Sequence, residues 1–290
     1  MIVIWNISMN QLINQQTNQL TVAVITATIG RDELERTIES IKNQSYPCKH
    51  YIFVDGEDFR YKAKTILDKY PDVIPIYLPM NTGKNQMFNS SINAIAPFLV
   101  SEDIICYLDD DNWVRKDHIE SLVHEIALGA DFAYSLRAFY LSDGRFICLD
   151  DLESLGYWSA KGFIRFDLKI GERSKVLEYN LNNFQSFIDV NCYAIPREIA
   201  FELPKAWYSG WGNDRRVYQK LSELGLKGRG TGRYTVNYQI DFEKFFNLET
   251  FLSEYSLSDE LKNQLGEAIL KNMCLKNIEM HDYKKPWAKE

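Results

Sequence analysis

Apolar and polar positions change period repeatedly along the first part of the chain. Residues 20–28, LTVAVITAT, form an unbroken apolar, β-branched run of the kind that a strand buried on both faces requires. Gly30 and Arg31 interrupt it, and Asp32 is placed to cap a helix over 33–44, where Leu34, Ile38 and Ile41 recur at helical spacing. Pro47 closes that segment. HYIFV at 50–54 predicts a second strand ending at Asp55-Gly56, followed by a helix over 59–70 and a third strand over 73–78. The polar loop MNTGKN separates this strand from a helix over 86–96. A strand over 103–108, DIICYL, then runs into three consecutive aspartates. Strands alternating with helices through short loops predict an α/β fold with a mostly parallel central sheet. In such sheets ligands bind beyond the carboxyl ends of the strands. Asp55 and Asp109–Asp111 both fall there.

The second half has a different pattern. Shorter strand-like runs at 131–149 and 157–168 predict added antiparallel strands, and FIDVNCYAI at 187–195 predicts another before Pro196. AWYSGWGND leads into a helix near 214–224. The glycine-rich GLKGRGTGR precedes a strand near 234–240, and residues 242–290 are mostly helical in pattern. Residues 1–19, rich in Asn and Gln over 6–19, read as a lead-in.

Composition narrows the function classes. With 33 basic and 40 acidic residues the formal charge is −7, and with no long basic run this argues against non-specific nucleic-acid binding. The five cysteines, Cys48, Cys106, Cys148, Cys192 and Cys274, are odd in number and widely spaced. They form no CxxC pair and are expected to be reduced thiols of a cytoplasmic protein. MIVIWNISMN lacks the basic start and long apolar stretch of a signal peptide. No run approaches the ~18–20 apolar residues that span a bilayer. A soluble protein is expected, with peripheral association at the inner face of a membrane left open.

Tyr107-Leu108-Asp109-Asp110-Asp111-Asn112-Trp113 is the strongest local signal. Two carboxylates at i and i+2 beyond a strand end can converge on one hard divalent cation, which would bridge protein and diphosphate. The same residues would also serve as an acidic turn capping the next helix.

These motifs, in this order, resemble family 2 glycosyltransferases of the GT-A fold, over about residues 20–240. The family's first strand leads to a turn ending in Arg, here Ala27-Thr28-Ile29-Gly30-Arg31 with Ala in place of the usual proline. Its second strand ends in an aspartate that contacts the nucleotide base, matched by Asp55. Its Asn-x-Gly and later Asn match Asn81-Thr82-Gly83 and Asn89, although Met87-Phe88 stands where Ala-Arg is usual. Its metal-binding Asp-x-Asp matches Asp109 and Asp111, with Asp110 between. Gly210-Trp211-Gly212-Asn213-Asp214 resembles its Gly-Trp-Gly-x-Glu-Asp motif, with Asn213 replacing the first acid.

The resemblance implies a metal-dependent enzyme moving a sugar from a nucleoside diphosphate donor to an acceptor hydroxyl, with inversion. It implies Mn2+ or Mg2+ at Asp109 and Asp111, and a UDP-sugar is the favoured donor. Asp214 is the expected base. Thr28, Arg31, Asp55, Gly83, Lys84, Asn89 and Asp110 are the expected donor residues. Arg229 and Arg233 join them if GLKGRGTGR is a flap that meets the diphosphate, and otherwise lie in a solvent-exposed turn. Trp207, Trp211 and Asn213 are the expected acceptor residues, with core packing the alternative for the tryptophans and for Tyr208. Trp113 reads as packing, and His281, the only histidine after the acceptor motif, matches a third metal ligand poorly and reads better as a surface residue. The acceptor is expected to be a glycan or lipid-linked glycan of bacterial polysaccharide synthesis. The expected division is a nucleotide-sugar half at 20–113, an acceptor half at 114–240 and a helical extension at 241–290. Two alternatives are a non-catalytic nucleotide-sugar-binding module and a nucleotidyltransferase. The latter wants a glycine-rich basic loop after the first strand, and Ala27–Arg31 is too short for that.

Overall fold

The computed structural model describes residues 19–170, 172–246 and 258–289. Most of the expected lead-in, and residues 247–257 of the expected helical extension, lie outside the described residues. The apolar run after the lead-in becomes β1 (Val22–Thr28), flanked on one side by β2 (Lys49–Val54) and β3 (Ile74–Tyr77) and on the other by β4 (Ile104–Tyr107), all parallel. Helices α1 (Leu34–Lys42), α2 (Arg60–Leu67) and α3 (Ser90–Leu99) connect them. Leu34, Ile38 and Ile41 of α1 are buried, as their spacing predicts, but Asp32 does not cap the helix and pairs with Lys62 instead. The carboxyl ends of β1, β2 and β4 share one edge, where the Asp55 amide donates to the Thr28 carbonyl and the Leu108 amide to that of Ile25.

Beyond β4 the sheet becomes mixed. Chain order continues through β5 (Trp113–Val114), α4 (His118–Ala127), β6 (Phe132–Tyr140) and β7 (Phe146–Leu149). A separate two-stranded sheet follows, β8 (Phe163–Ile170) with β9 (Arg173–Asn180). Then come β10 (Tyr193–Pro196), the short helices α5 (Arg197–Ala200) and α6 (Pro204–Trp207), α7 (Asn213–Glu223) and β11 (Gly228–Gln239). The main sheet runs β3-β2-β1-β4-β10-β6-β11-β5, with β7 beside β6. β10 is antiparallel to both β4 and β6, so β6 and its parallel neighbour β11 run in the direction of β4.

The glycine-rich segment is the first part of β11, not a flap. Its glycines make room for neighbours: a Cβ on Gly228 would strike the Phe132 ring, and one on Gly230 the Tyr134 ring. Gly232, at φ +69°, seats the carboxyl-terminal tail, and a Cβ there would lie 2.5 Å from the Lys289 amide nitrogen, which donates to the Gly232 carbonyl.

That tail follows α8 (Phe242–Phe246) and α9 (Asp259–Met280). Ile269, Leu270, Met273 and Cys274 of α9 pack with Phe139 and Ile147. Farther on, Trp287 is buried with Leu136 and Leu155, and its indole N–H donates to Asp151, which also accepts from Lys285. All five cysteines are free.

The tail's seat is testable. Gly232→Ala puts an L-residue in the left-handed region, at about 1–2 kcal/mol, and pushes on Lys289. Urea unfolding should show that loss, with red-shifted Trp287 emission in the native state. Unchanged stability and emission would mean the tail is not seated there.

Candidate active site

The three adjacent aspartates are each held in a different direction. Asp110 turns inward, where it is buried and accepts from the Thr28 hydroxyl at 2.6 Å, with Arg31 3.5 Å away. The Thr28 oxygen in turn accepts from the Gly30 amide. Asp110 therefore fixes the turn after β1, and burial pushes its carboxyl up to about 6. Asp111 points outward and pairs with the half-exposed Arg31 guanidinium at 2.5 Å. The Asp111 carbonyl accepts from Arg36 of α1, which lies 3.7 Å over the Trp113 ring. Trp113 packs, as expected, and also meets Tyr140 edge-on.

Asp109 is the junction. One oxygen accepts from the Asn89 side-chain amide at 2.8 Å and the other from that of Asn191 at 3.0 Å, while Asn191 Oδ1 accepts from the Asp109 backbone N–H at 2.6 Å. Burial, then the charges of Asp111 and Asp189, hold the Asp109 carboxyl above the usual carboxylate range. Asn89 reaches across to the acceptor half, where its carbonyl oxygen accepts from Asn213 Nδ2 at 3.0 Å. Asn213 also donates to Ser90 Oγ. An acid at position 213 could not donate either bond when ionised and would add a carboxylate to a crowded edge, so the departure from the family motif has a local reason.

Asp55 is buried, and its two oxygens accept from the Thr82 amide and hydroxyl and from the Gly83 amide, all within 2.9 Å. In this structure it holds the loop. A Cβ on Gly83 would sit 2.6 Å from the Phe88 carbonyl oxygen and 3.0 Å from the Asp55 carboxylate. Lys84 is exposed on the same loop. The helix expected over 86–96 starts only at Ser90, because Asn85, Gln86 and Phe88 adopt positive φ between these anchors.

Asp214 lies in the first turn of α7, where its carboxylate accepts from the Arg215 backbone N–H. Burial, reinforced by the Asp189 charge and opposed by Arg215 and Arg137, pushes it up to about 6. The tryptophans divide. Trp207 is fully buried against Tyr107 and Tyr193, so it belongs to the core and not to an acceptor surface. Trp211 is 73% exposed, with its ring 5.9 Å from that of Phe88, which is also exposed. Tyr208 is exposed too.

Arg229 and Arg233 are not brought to the site. Arg229 registers with Ala133 near the start of β6, two strands away from β4, and lies 3.8 Å from Glu125 of α4. Arg233 donates to Asp117 at 3.2 Å. His281 packs edge-on against Trp158 and Trp287. Sequence reasoning missed Asn191, Asp189 and Arg137, which stand behind Asp109. Asn191 and Asp189 fall inside a predicted apolar strand, and their spacing carries no motif.

Among the described residues no group of three or more His, Cys, Asp or Glu is arranged to hold a metal. Asp109 and Asp111 nevertheless offer only oxygen donors, and three buried or half-buried carboxylates face the single guanidinium of Arg31, which leaves negative charge unmet. A hard divalent cation fits that donor set. Among the described residues no helix is long and apolar enough to cross a membrane.

Comparison with known proteins gives this arrangement a context. A sequence model of Glycosyl transferase family 2 matches residues 22–202. An uncharacterized protein of Haemophilus influenzae is 39% identical over 134 residues, spanning 46% of this chain and 90% of its own. S. aureus TarS 1-349 superposes with a TM-score of 0.50 at 12% identity, covering 89% of this chain and 72% of TarS. Its complex with UDP gives 0.51 at 11% identity, over 90% and 72%.

The raised Asp214 carboxyl makes a pH prediction. Between about pH 4 and 6 the folded protein keeps a proton that the unfolded chain has released, so stability falls as pH rises through that window. Asp214→Asn removes this loss. Its unfolding free energy relative to wild type should rise across the window by on the order of 2 kcal/mol. A difference in urea unfolding that is the same at pH 4 and pH 7.5 would contradict the raised value.

Proposed function

The chain belongs to glycosyl transferase family 2, and from that premise we propose that it moves a sugar from a nucleoside diphosphate donor to an acceptor hydroxyl with Asp214 as general base. One observation carries the reading. Asn213, beside the candidate base, bonds Asn89, and Asn89 bonds Asp109, so two side chains connect the acceptor motif to the aspartates. A base and a diphosphate site must lie this close for one oxygen to reach the anomeric carbon.

Asp214, ionised at neutral pH yet more basic than an exposed carboxylate, takes the acceptor hydroxyl proton on a side-chain oxygen. The acceptor oxygen then bonds the anomeric carbon from the side opposite the diphosphate, which leaves with the bonding pair, so the product is inverted. Asp109 and Asp111 would hold Mn2+ or Mg2+, which when bound offsets the charge developing on the leaving diphosphate. Arg31, half exposed beside Asp111, and the exposed Lys84 would supply positive charge to the same phosphates. Thr28 and Asp110 fix the turn that carries Arg31, and Asp55 and Gly83 fix the loop that carries Asn89. Trp211 with Phe88 offers an apolar wall for the acceptor sugar, since the C–H face of a pyranose packs on aromatic rings.

The TarS neighbour was solved with UDP, which makes UDP the nucleotide to test first. A glycan or lipid-linked glycan of bacterial polysaccharide synthesis is the acceptor class we favour, with the enzyme at the inner face of the membrane.

UDP with Mn2+ should raise the melting temperature of the wild type. Asp111→Ala should lose that shift. Asp214→Asn should keep it while losing about two to four orders of magnitude in transfer. A full shift in Asp111→Ala, or full transfer in Asp214→Asn, would refute the corresponding assignment.

A further inference from the structure

We propose that Arg137 is a positioning residue for the donor site, acting on Asp109 through Asp189 and Asn191. Arg137 lies on β6 with its side chain only 3% exposed, and each of its three guanidinium nitrogens meets a different carboxylate. Nε donates to Asp150 at 2.6 Å, one terminal nitrogen to Asp189 at 2.5 Å and the other to Glu153 at 3.1 Å. The plane lies over the Tyr238 ring at 4.4 Å. Such a fork fixes three partners in one plane, which a lysine cannot do.

Two arms lead from the fork toward the site. Along one, the second Asp189 oxygen accepts from the Asn191 backbone N–H at 3.0 Å and from its side-chain amide at 2.7 Å. Asn191 is thereby locked in the rotamer that both donates to Asp109 Oδ2 and accepts from the Asp109 backbone N–H. Along the other, Glu153 accepts from Arg215 at 3.4 Å, next to Asp214. Arg215 is itself held 4.0 Å over the Phe187 ring. The third partner, Asp150, caps the turn that presents Glu153, accepting from the Leu152 and Glu153 amides.

The sheet register puts the fork there. Tyr193 pairs with Tyr134 across β10 and β6, and the segment just before β10 brings Asp189 to Arg137 of β6. Ala194 pairs with Cys106 across β10 and β4, and the 3-10 turn Val190–Cys192 that leads into β10 brings Asn191 to Asp109 just beyond β4. A buried ion cluster is weak as a source of stability, because apolar residues of similar volume often serve as well. Its geometry has an evident use here, since an unlocked Asn191 could rotate its amide away from Asp109.

This inference rests on the reading that Asp109 faces the donor's cation, and calorimetric titration of UDP with Mn2+ tests the two separately. Wild type that does not bind UDP with Mn2+ sinks that reading, and this inference with it. Where wild type binds, Arg137→Lys, which keeps the charge and loses the fork, should weaken binding roughly tenfold or more. Asn191→Ala should do the same. The double variant should be no weaker than the weaker single, because both act on one arm. Multiplying losses in the double variant, or binding within about twofold of wild type in a folded Arg137→Lys whose melting temperature alone has dropped, would overturn the proposal. Should Arg137→Lys fail to fold, Asp189→Asn replaces it in the same cycle, with the same expected and contrary results.

Discussion

The site depends on keeping carboxylates close together at one edge of a sheet without letting them repel the chain apart. Asp109, Asp110 and Asp111 follow one another directly, and Asp189 and Asp214 stand nearby. Four of the five are met by a group from a distant part of the sequence: Thr28 and Arg31 for Asp110 and Asp111, Asn89 and Asn191 for Asp109, Arg137 for Asp189. Neutral amides serve Asp109, the carboxylate that we propose faces the cation. A guanidinium there would satisfy it outright and leave less attraction for a cation.

Much of the architecture can be read as a consequence. β10 runs against β4 and β6, and so carries Asn191 and Asp189 past the end of β4 on their way into the sheet. Thr37 and Arg36 of α1 grip the backbone of Asn112 and Asp111. The loop before α3 accepts three positive-φ residues to bring Asn89 to Asp109. Apolar side chains supply the remaining fixity, with Trp207 filling the core beneath β4 through Tyr107.

The first half of the fold was legible in the sequence because β1, β2 and β4 are buried on both faces and α1 keeps a clean spacing. Val22–Thr28 and the Leu34, Ile38, Ile41 series leave little ambiguity. The carboxylates were legible because they sit at strand ends, and Asp214 because its Gly-Trp-Gly lead is distinctive. The glycine-rich segment misled, since glycines that clear space for Phe132, Tyr134 and Lys289 look in sequence like glycines that permit motion. Trp207 and Trp211 are four positions apart in one aromatic cluster, yet one is core and the other surface, a distinction that helix packing makes and composition does not. Arg137 and Asn191 were invisible because their meaning lies in contacts with residues far away in the chain, Asp189 for the one and Asp109 for the other.

Crystals grown with MnCl2 and UDP, measured at the manganese absorption edge, test the central claim most directly. The account predicts a single anomalous peak bridging the diphosphate and the carboxylates of Asp109 and Asp111, with the Asn191 side-chain amide still on Asp109. A diphosphate bound elsewhere, or manganese held away from both aspartates, would contradict it.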